Sequence, residues 1–281
     1  MRQDIKFKGS PLTLVGRNTK IGVRAADFRV VTQDLKEVGL SDFAGKHKVI
    51  TSFLSLDTAV CDLQVKEFNQ RATSLGGDIV ILGLSRDLPF AQKRFCETFA
   101  IKNIAVLSDY KFSSFGINYG LLIKELNLLA RAVVILDKNN ILRYRQVVAE
   151  QTQPPDYQDA LQNLSEIIKS PLELKKQDLP AHCQPCEGGV PALPKEKIER
   201  LLAQHRGWEL LEDKKIEKTF KFKDFVEAKY FLDLIAVIAE EQGHHPGLRL
   251  NYNKLKVTLT THSAQGLTDN DFIMARIIDE L

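Results

Sequence analysis

Cys61 is the first residue of this 281-residue sequence whose type and placement could do chemistry. It lies in the segment Asp57-Thr-Ala-Val-Cys61, where the pattern predicts that a strand ends and a helix begins. Thr58 or Asp57 would cap that helix, and Cys61 would lie in its first turn. The free N–H groups and the positive end of the helix dipole favour a thiolate there, which is a nucleophile at neutral pH. The alternative interpretation is a buried structural cysteine.

Histidines form the second group of candidate residues. Three of the six fall within 19 residues, as His244-His245-Pro246 and His262. A single histidine would be interpreted as a solvent-exposed residue without a catalytic role. Three histidines brought together by a helix end and a strand end indicate a proton-transfer site or a metal site. A metal ion would need further ligands, and adjacent histidines rarely point at one ion. We therefore expect proton transfer and no bound metal.

A third candidate is Cys183-Gln-Pro-Cys186, which has the spacing of a redox dithiol or of half a zinc site. A zinc site would need a second pair of ligands, and a thioredoxin-type dithiol would lie between a strand and a helix. This pair lies instead in a stretch rich in Pro and Gly, with only His182 beside it. For the pair of Cys183 and Cys186, zinc binding and a regulatory disulfide are the two alternatives, and the sequence does not decide between them.

The elements that would position Cys61 alternate between apolar runs and helical patterns, followed by an antiparallel pair and a closing helix. The predicted strands are Val49–Leu54, Ile79–Leu84, Ala130–Leu136 and Ile141–Val148, and the predicted helices lie near 59–75, 89–99 and 156–169. This order predicts an α/β domain over residues 1–169, with a mixed sheet and helices on both of its faces.

Seven of the ten prolines lie between Pro154 and Pro194, so we expect a linker at 170–182 and a second domain at 183–281. In that domain a long helix begins at its capping Asp224 and stops at Gly243. A strand around Leu255–Leu259 alternates apolar and polar residues. Further helices are predicted near 195–204 and 269–279, and a strand near 218–222.

The length of the chain predicts two domains. Its composition excludes several classes of protein. The hydrophobic fraction is 44% and the charged fraction 27%, and no apolar run approaches the roughly 18 residues of a membrane span. The net charge is +3, and no cluster of Lys and Arg interleaved with aromatic residues indicates a nucleic-acid surface. The first residues show no secretory signal, so cytoplasmic residence is expected.

The first half resembles bacterial thiol peroxidases, the atypical two-cysteine peroxiredoxins. The resemblance covers about residues 1–169 and is carried by Phe53-Leu-Ser-Leu-Asp-Thr-Ala-Val-Cys61, Leu88-Pro-Phe-Ala-Gln-Lys-Arg-Phe-Cys96, Phe43-Ala-Gly-Lys46, Lys66-Glu-Phe-Asn69, Ala130-Arg-Ala-Val133 and Pro155-Asp-Tyr157. It implies a thioredoxin-like fold in which Cys61 is the peroxidatic cysteine and Cys96 the resolving one. Cys96 lies on a separate predicted helix, so disulfide closure would require at least partial unwinding. Its alternative is a packed helix residue.

Attack of a thiolate on a peroxide needs donors that hold the peroxide and meet the developing negative charge. Thr58 and Arg131 are the candidates. Arg131 would share a strand face with apolar residues, where a guanidinium without an anionic partner is costly; the alternative is an edge-strand arginine that reaches solvent. Leu54 stands where peroxiredoxins of this type usually have a proline, which normally shapes and shields the pocket, so the sequence departs from the family pattern there.

The second half resembles the pterin-4a-carbinolamine dehydratase family. The resemblance spans about residues 183–281 and is carried by Glu240-Glu-Gln-Gly-His-His-Pro246, Asn251-Tyr-Asn-Lys-Leu-Lys-Val257, Leu259-Thr-Thr-His262 and Gly266-Leu-Thr-Asp-Asn-Asp271, with Gly207-Trp208 and Phe220-Lys-Phe-Lys-Asp-Phe225 fitting earlier segments. It implies a small α+β fold, an antiparallel sheet with helices on one face, that dehydrates 4a-hydroxytetrahydropterin to quinonoid dihydropterin without a cofactor.

On the family pattern, His244 and His262 are the acid and base, and His245 binds the pterin. Glu240, one helical turn before His244, would orient that imidazole or bind substrate, and Asp271 would position the site or bind substrate. The alternatives are a solvated helix face for Glu240 and a helix-terminal charge for Asp271.

The two resemblances together predict a fusion of two enzymes, with peroxide and pterin substrates and a thioredoxin-like reductant. Members of both families form dimers, so a homodimer or higher homo-oligomer is expected. The alternative is that only the dehydratase half is active and the first half is a redox sensor or a partner-binding and dimerisation module.

Overall fold

A computed structural model describes residues 4–172, 180, 182–185 and 190–281. The chain divides into two compact units, Met1–Lys175 and Lys176–Leu281. This division falls inside the predicted linker. The linker bounds at 170 and 182 stay a prediction, because most of that stretch lies outside the described residues, as does Cys186 of the predicted dithiol.

The first unit contains twelve strands and four helices among its described residues. The strands are β1 (Ile5–Phe7), β2 (Ser10–Leu12), β3 (Leu14–Val15), β4 (Val30–Val31), β5 (Glu37–Val38), β6 (His47–Ser52), β7 (Ile79–Ser85), β8 (Ala105–Ser108), β9 (Leu122–Ile123), β10 (Leu128–Leu129), β11 (Ala132–Leu136) and β12 (Leu142–Val147). The helices are α1 (Ala59–Arg71), α2 (Pro89–Thr98), α3 (Ser114–Asn118) and α4 (Tyr157–Lys169). Short 3-10 turns lie between β5 and β6, at Leu40–Phe43, and between α1 and β7, at Ala72–Ser74.

Seven of these strands form the central sheet, in the order β12-β11-β6-β7-β8-β4-β5. The pairs β6·β7 and β7·β8 are parallel, and the outer pairs are antiparallel, which confirms the predicted mixed sheet. Val49 and Ile50 are adjacent in β6 and both fully buried, but they belong to different hydrophobic clusters. Because both faces of the sheet are covered, β7 and β11 are nearly continuous apolar runs.

The two hydrophobic clusters assign the helices to the faces of the sheet. Helices α1, α2 and α4 contribute to the cluster that contains Val49, and α3 contributes to the cluster that contains Ile50. Cys61 and Cys96 therefore lie on the same face. The strand predicted over 49–54 ends at Ser52; Phe53 and Leu54 are buried but lie in the loop that leads to α1.

The second unit is a four-stranded antiparallel sheet with helices packed on its buried face. Its strands are β13 (Glu209–Leu211), β14 (Lys215–Lys221), β15 (Gly247–Asn251) and β16 (Lys254–Leu259), in the order β13-β14-β16-β15, and its helices are α5 (Lys195–Leu202), α6 (Phe225–Gln242) and α7 (Asp269–Glu280). In β16, Leu255, Val257 and Leu259 are buried while the intervening residues are more exposed. This alternation shows which face of the sheet is buried. The antiparallel sheet together with its helices confirms the predicted α+β arrangement.

Helix α6 begins and ends where the sequence predicts. The side chain of Asp224 accepts a hydrogen bond from the Glu227 N–H at 2.9 Å. Gly243 has a φ of +59°, the left-handed conformation that ends a helix at low cost for glycine. In the described parts of the chain, no helix is both long and apolar enough to cross a membrane.

Candidate active sites

Cys61 is the third residue of α1 and its side chain is fully buried. The helix follows directly from the loop at the carboxyl end of β6, and Cys61 packs in a cluster with Phe53, Leu54 and Leu56. Leu54 is only 4% exposed and is a member of this apolar cluster.

Arg131 contacts the sulfur of Cys61. Its Nη2 donates a hydrogen bond to Cys61 Sγ at 3.2 Å, and the arginine is only 2% exposed. The antiparallel pairing of Ala132 with Ser52 brings Arg131 beside the end of β6, where the loop to Cys61 starts. The alternative of an arginine that reaches solvent is therefore wrong. A guanidinium at this distance stabilises negative charge on the sulfur.

Two glutamines that the sequence did not single out hold Arg131 in place. Gln64 Oε1 accepts a hydrogen bond from Arg131 Nη1, and its Nε2 donates to Thr51 Oγ1 at 2.5 Å. The main-chain oxygen of Gln151 accepts from Arg131 Nε at 3.0 Å. Gln64 and Gln151 are both fully buried. For Gln64 a signal exists in the sequence, because residue 64 lies one helical turn after Cys61 and shares its face.

Thr58 is the N-cap residue of α1 by backbone conformation, but its side chain makes no capping hydrogen bond. Its hydroxyl donates instead to the Ser55 carbonyl at 3.0 Å. Thr58 is thus the N-cap residue, one of the two that the sequence predicted, although it does not cap the helix through its side chain. Thr58 is exposed and lines a groove of about 380 Å³ between the start of α1 and helix α2, together with Asp62, Phe95 and Phe99.

Cys96 lies in α2 and is buried at 7% exposure. Its sulfur accepts a hydrogen bond from Gln33 Nε2 at 3.1 Å. Burial raises the pKa of the Cys96 thiol, and the hydrogen bond from Gln33 opposes that effect. Cys61 and Cys96 are both free thiols and share one hydrophobic cluster. Each lies in an intact helix, and the partial unwinding of α2 before disulfide closure stays a prediction.

His244 forms the centre of the second site. It is only 6% exposed, and its Nε2 lies 2.8 Å from Asp271 Oδ1. The other carboxylate oxygen, Oδ2, accepts from Thr261 Oγ1 and from the Thr268 N–H, both at 2.8 Å. Asp271 is fully buried, so it can touch His244 but is screened from solvent. Its position fits the first of its two predicted roles, to position the site.

Glu240 does not orient His244, contrary to the expectation from helical spacing. Its Oε1 lies 3.0 Å from Nε2 of His245, and both side chains are exposed. Helix α6 ends at Gln242 and Gly243 turns the chain away, so residue 244 is not one helical turn beyond residue 240. The exposed pair of Glu240 and His245 is accessible to a ligand.

His262 is exposed in a 3-10 turn, His262–Ala264, beyond the end of β16. The pairing of Gly247 with Thr258 brings the start of β15, which follows His244 and His245, beside the end of β16. Thr261 precedes His262 and donates to the same Asp271 that holds His244. The structure therefore gathers all three histidines at one end of the sheet.

The leading segment of the second unit, residues 182–185, is attached beside this site. The Cys183 N–H donates to Gln242 Oε1, and the Gln184 N–H donates to Asn270 Oδ1, both at 2.9 Å. Gln242 is two positions before His244, and Asn270 directly precedes Asp271. Within the described residues, no group of three or more His, Cys, Asp or Glu side chains is arranged to hold a metal ion.

The first part of the chain matches the family model described as Redoxin over residues 20–161. The thiol peroxidase of Staphylococcus saprophyticus is 47% identical over 158 residues, which cover 56% of this chain and 95% of that protein. A peroxiredoxin-like protein of known structure from Aquifex aeolicus is 39% identical, with a TM-score of 0.56, over 59% of this chain and 98% of that chain.

The last part matches the family model described as Pterin 4 alpha carbinolamine dehydratase over residues 191–281. It is also similar to a transcriptional coactivator/pterin dehydratase from Brucella melitensis, which is 37% identical over 31% of this chain and 95% of that chain, with a TM-score of 0.31. The chain thus belongs to the redoxin family through a thiol peroxidase domain, and its second domain is a pterin-4a-carbinolamine dehydratase domain.

Proposed function

We propose that the first domain reduces hydrogen peroxide and organic hydroperoxides at Cys61. The contact between the Arg131 guanidinium and the Cys61 sulfur carries this proposal, because it supplies positive charge where a thiolate and a departing oxygen anion need it. The thiolate attacks one peroxide oxygen and the O–O bond breaks. Cys61 becomes a sulfenic acid, and hydroxide or alkoxide leaves and takes up a proton.

Cys96 completes the cycle. Its thiol attacks the Cys61 sulfenic acid, the S–S bond forms and water leaves. A thioredoxin-like dithiol then reduces the disulfide and is itself oxidised. The groove beside Thr58 and Phe95 supports peroxide access to the first turn of α1. To donate to the bound peroxide, the Thr58 hydroxyl turns away from its acceptor in the structure, the Ser55 carbonyl.

Stopped-flow kinetics test this half of the proposal. Wild-type protein should consume hydrogen peroxide with a thioredoxin-like reductant, Cys61→Ser should be inactive, and Cys96→Ser should perform one turnover and stop at the sulfenic acid. A Cys61→Ser variant as active as wild type would overturn the proposal.

For the second domain we propose dehydration of 4a-hydroxytetrahydropterin to quinonoid dihydropterin and water. The hydrogen bond between His244 and the buried Asp271 carries this proposal. A carboxylate that accepts from Nε2–H leaves Nδ1 of the imidazole as the atom that exchanges a proton with substrate. One of His244 and His262 protonates the departing 4a-hydroxyl, and the other removes the ring-nitrogen proton. His245 and Glu240 are the exposed groups that would contact the pterin.

Loss of the 4a-hydroxypterin absorbance measures this activity. Purified protein should accelerate the loss, and His244→Ala and His262→Ala should each remove most of the acceleration. Unchanged rates in both variants would refute the assignment. Measuring both activities on Cys61→Ser and His244→Ala also tells a bifunctional protein from one with a single active half.

We further propose that the chain self-associates and works in the cytoplasm. Large apolar side chains remain exposed on α1 and around α2, at Leu63, Leu88, Phe90 and Phe99, which supports burial against another protein surface. Light scattering at several concentrations measures the oligomeric state, and a monomer at all of them would contradict self-association.

A further inference from the structure

The hairpin between β4 and β5 contacts helix α2, which contains Cys96. The Thr32 N–H donates to the Lys36 carbonyl at 2.8 Å, and the Lys36 N–H donates back to Thr32 Oγ1 at 3.1 Å. At its base, Val31 of β4 pairs with Ser108 of β8. The tip of the hairpin is therefore fixed to the central sheet through β4.

Two side chains at this tip contact α2. Gln33 Nε2 donates to Cys96 Sγ at 3.1 Å, and Asp34 Oδ1 lies 3.2 Å from Lys93 Nζ. Lys93 and Cys96 are three positions apart, so both contacts hold the same face of the helix. The cysteine contact is buried on the α2 side, whereas Asp34 and Lys93 are exposed at 73% and 48%. The contact from Gln33 is therefore the stronger of the two.

These contacts belong to the dithiol form of the protein. In the second step of the proposed peroxidase cycle, the Cys96 thiol and the Cys61 sulfenic acid form a disulfide and release water. Cys96 must then leave its position in α2, and its sulfur gives up the hydrogen bond from Gln33. We propose that Gln33, assisted by Asp34, is a latch that holds Cys96 in α2 and so sets the rate of disulfide formation.

The direction of the effect follows from where the thiol reacts. In the folded helix, Cys96 is shielded by its neighbours, so the reactive form is the one in which α2 has opened. Gln33 does not touch the sulfur in the open form. Its loss therefore leaves the nucleophile unchanged and raises only the population of the open form. One hydrogen bond of ordinary strength corresponds to about a threefold to tenfold change in that population.

The latch has a chemical consequence for Cys61. While resolution is delayed, the Cys61 sulfenic acid can react with a second peroxide, which oxidises it to the sulfinic acid and is itself reduced to water. A faster second step shortens the life of the sulfenic acid. Removing the latch should therefore lower the yield of sulfinic acid at high peroxide.

Gln33→Met tests the latch in the full chain, because methionine keeps the length of the side chain but cannot donate a hydrogen bond. Lys36→Met is the matched control, since Lys36 lies exposed in the same hairpin. Reduced proteins are mixed with hydrogen peroxide, quenched with acid and an alkylating reagent, and analysed by mass spectrometry for sulfenic acid, disulfide and sulfinic acid at Cys61.

We expect sulfenic acid to form at the same rate in all three proteins, and disulfide to form about threefold to tenfold faster in Gln33→Met than in wild type and Lys36→Met. Gln33→Met should also give less sulfinic acid. Asp34→Asn should show a smaller acceleration that disappears at high salt. Equal rates of disulfide formation in wild type and Gln33→Met would overturn the latch but not the peroxidase cycle.

The latch rests on the proposed peroxidase cycle, and a second measurement separates the two. Hydrogen exchange of α2 amides in the reduced proteins needs no peroxide. It should be faster in Gln33→Met than in wild type and Lys36→Met. A wild-type protein that consumed no peroxide would overturn the cycle and with it the latch's role in catalysis, whereas unchanged hydrogen exchange would overturn the latch even if the peroxidase were active.

Discussion

Arg131 Nη2 lies 3.2 Å from Cys61 Sγ, although 70 positions separate the two residues in the chain. The contact exists because β11 pairs antiparallel with β6, so that the start of one strand meets the end of the other. Both groups are buried, which removes competing water from a charge-assisted hydrogen bond. A guanidinium in this place is a fixed donor for the charge that develops during peroxide cleavage.

Arg131→Met should lower the rate of peroxide consumption by about a hundredfold to a thousandfold, the usual cost of removing a donor that meets developing charge. Stopped-flow mixing with hydrogen peroxide gives the rate of the first step. Arg131→Lys keeps the charge but not the planar donor geometry, so its rate should lie between those of wild type and Arg131→Met. An Arg131→Met variant that is folded by circular dichroism and reacts at the wild-type rate would contradict this role.

Gln64→Met should lower the same rate by about tenfold, because Arg131 would lose a partner that orients it while the cysteine and the arginine remain. Gln70→Met is the matched control, since it makes the same change at an exposed position of α1. A double variant of Gln64 and Arg131 shows whether Gln64 acts by positioning Arg131 or by stabilising the fold independently of it. If Gln64 acts through Arg131, the double variant should be no slower than Arg131→Met alone, and additive losses would count against it.

The parts of the fold that the sequence predicted are those decided by local chemistry. Helix α6 matched because Asp224 caps it and Gly243 ends it, and both effects depend on neighbouring backbone groups. The strand β8 and the helix α3 were not predicted, since elements of four and five residues have too few positions to show a period.

The site was predicted in its residue types but not in its pairing. Helical spacing suggested that Glu240 orients His244, yet the helix ends between them. The true partner, Asp271, is 27 positions away on another helix, and no local rule connects the two. Gln151 was missed because an uncharged amide carries no chemical signal until a buried charge is placed beside it. Gln64 was missed although its spacing of one helical turn from Cys61 offered a signal.

Asp271→Asn should reduce dehydratase activity by about tenfold to a hundredfold, since an amide cannot hold the His244 imidazole with the same charge-assisted bond. Peroxide consumption should not change. Asp269→Asn is the matched control, because it removes one charge from the same helix turn and contacts Lys197 rather than His244. A pH profile of activity should shift in Asp271→Asn and not in Asp269→Asn; identical profiles in both variants would argue against a role through His244.

The second domain should lose stability in mild acid because of His205. Burial lowers the pKa of this histidine, against a smaller opposing effect of Asp279, whose Oδ2 lies 4.0 Å from Nδ1. The unfolded chain therefore takes up a proton near the ordinary pKa of about 6.5, and the folded domain only at lower pH. The stability that His205 supports is complete above that pH and falls as the pH drops toward the folded-state pKa.

Trp208 is the one tryptophan in the chain and is buried in the second unit, so its fluorescence follows the unfolding of that unit. Between pH 7.5 and pH 5, ~2.5 pH units that bracket the ordinary histidine pKa, the Trp208 melting temperature should fall less in His205→Phe than in wild type. His47→Phe is the control, because His47 also has a pKa lowered by burial but belongs to the first unit. An equal fall in wild type and His205→Phe would show that another group governs the acid response.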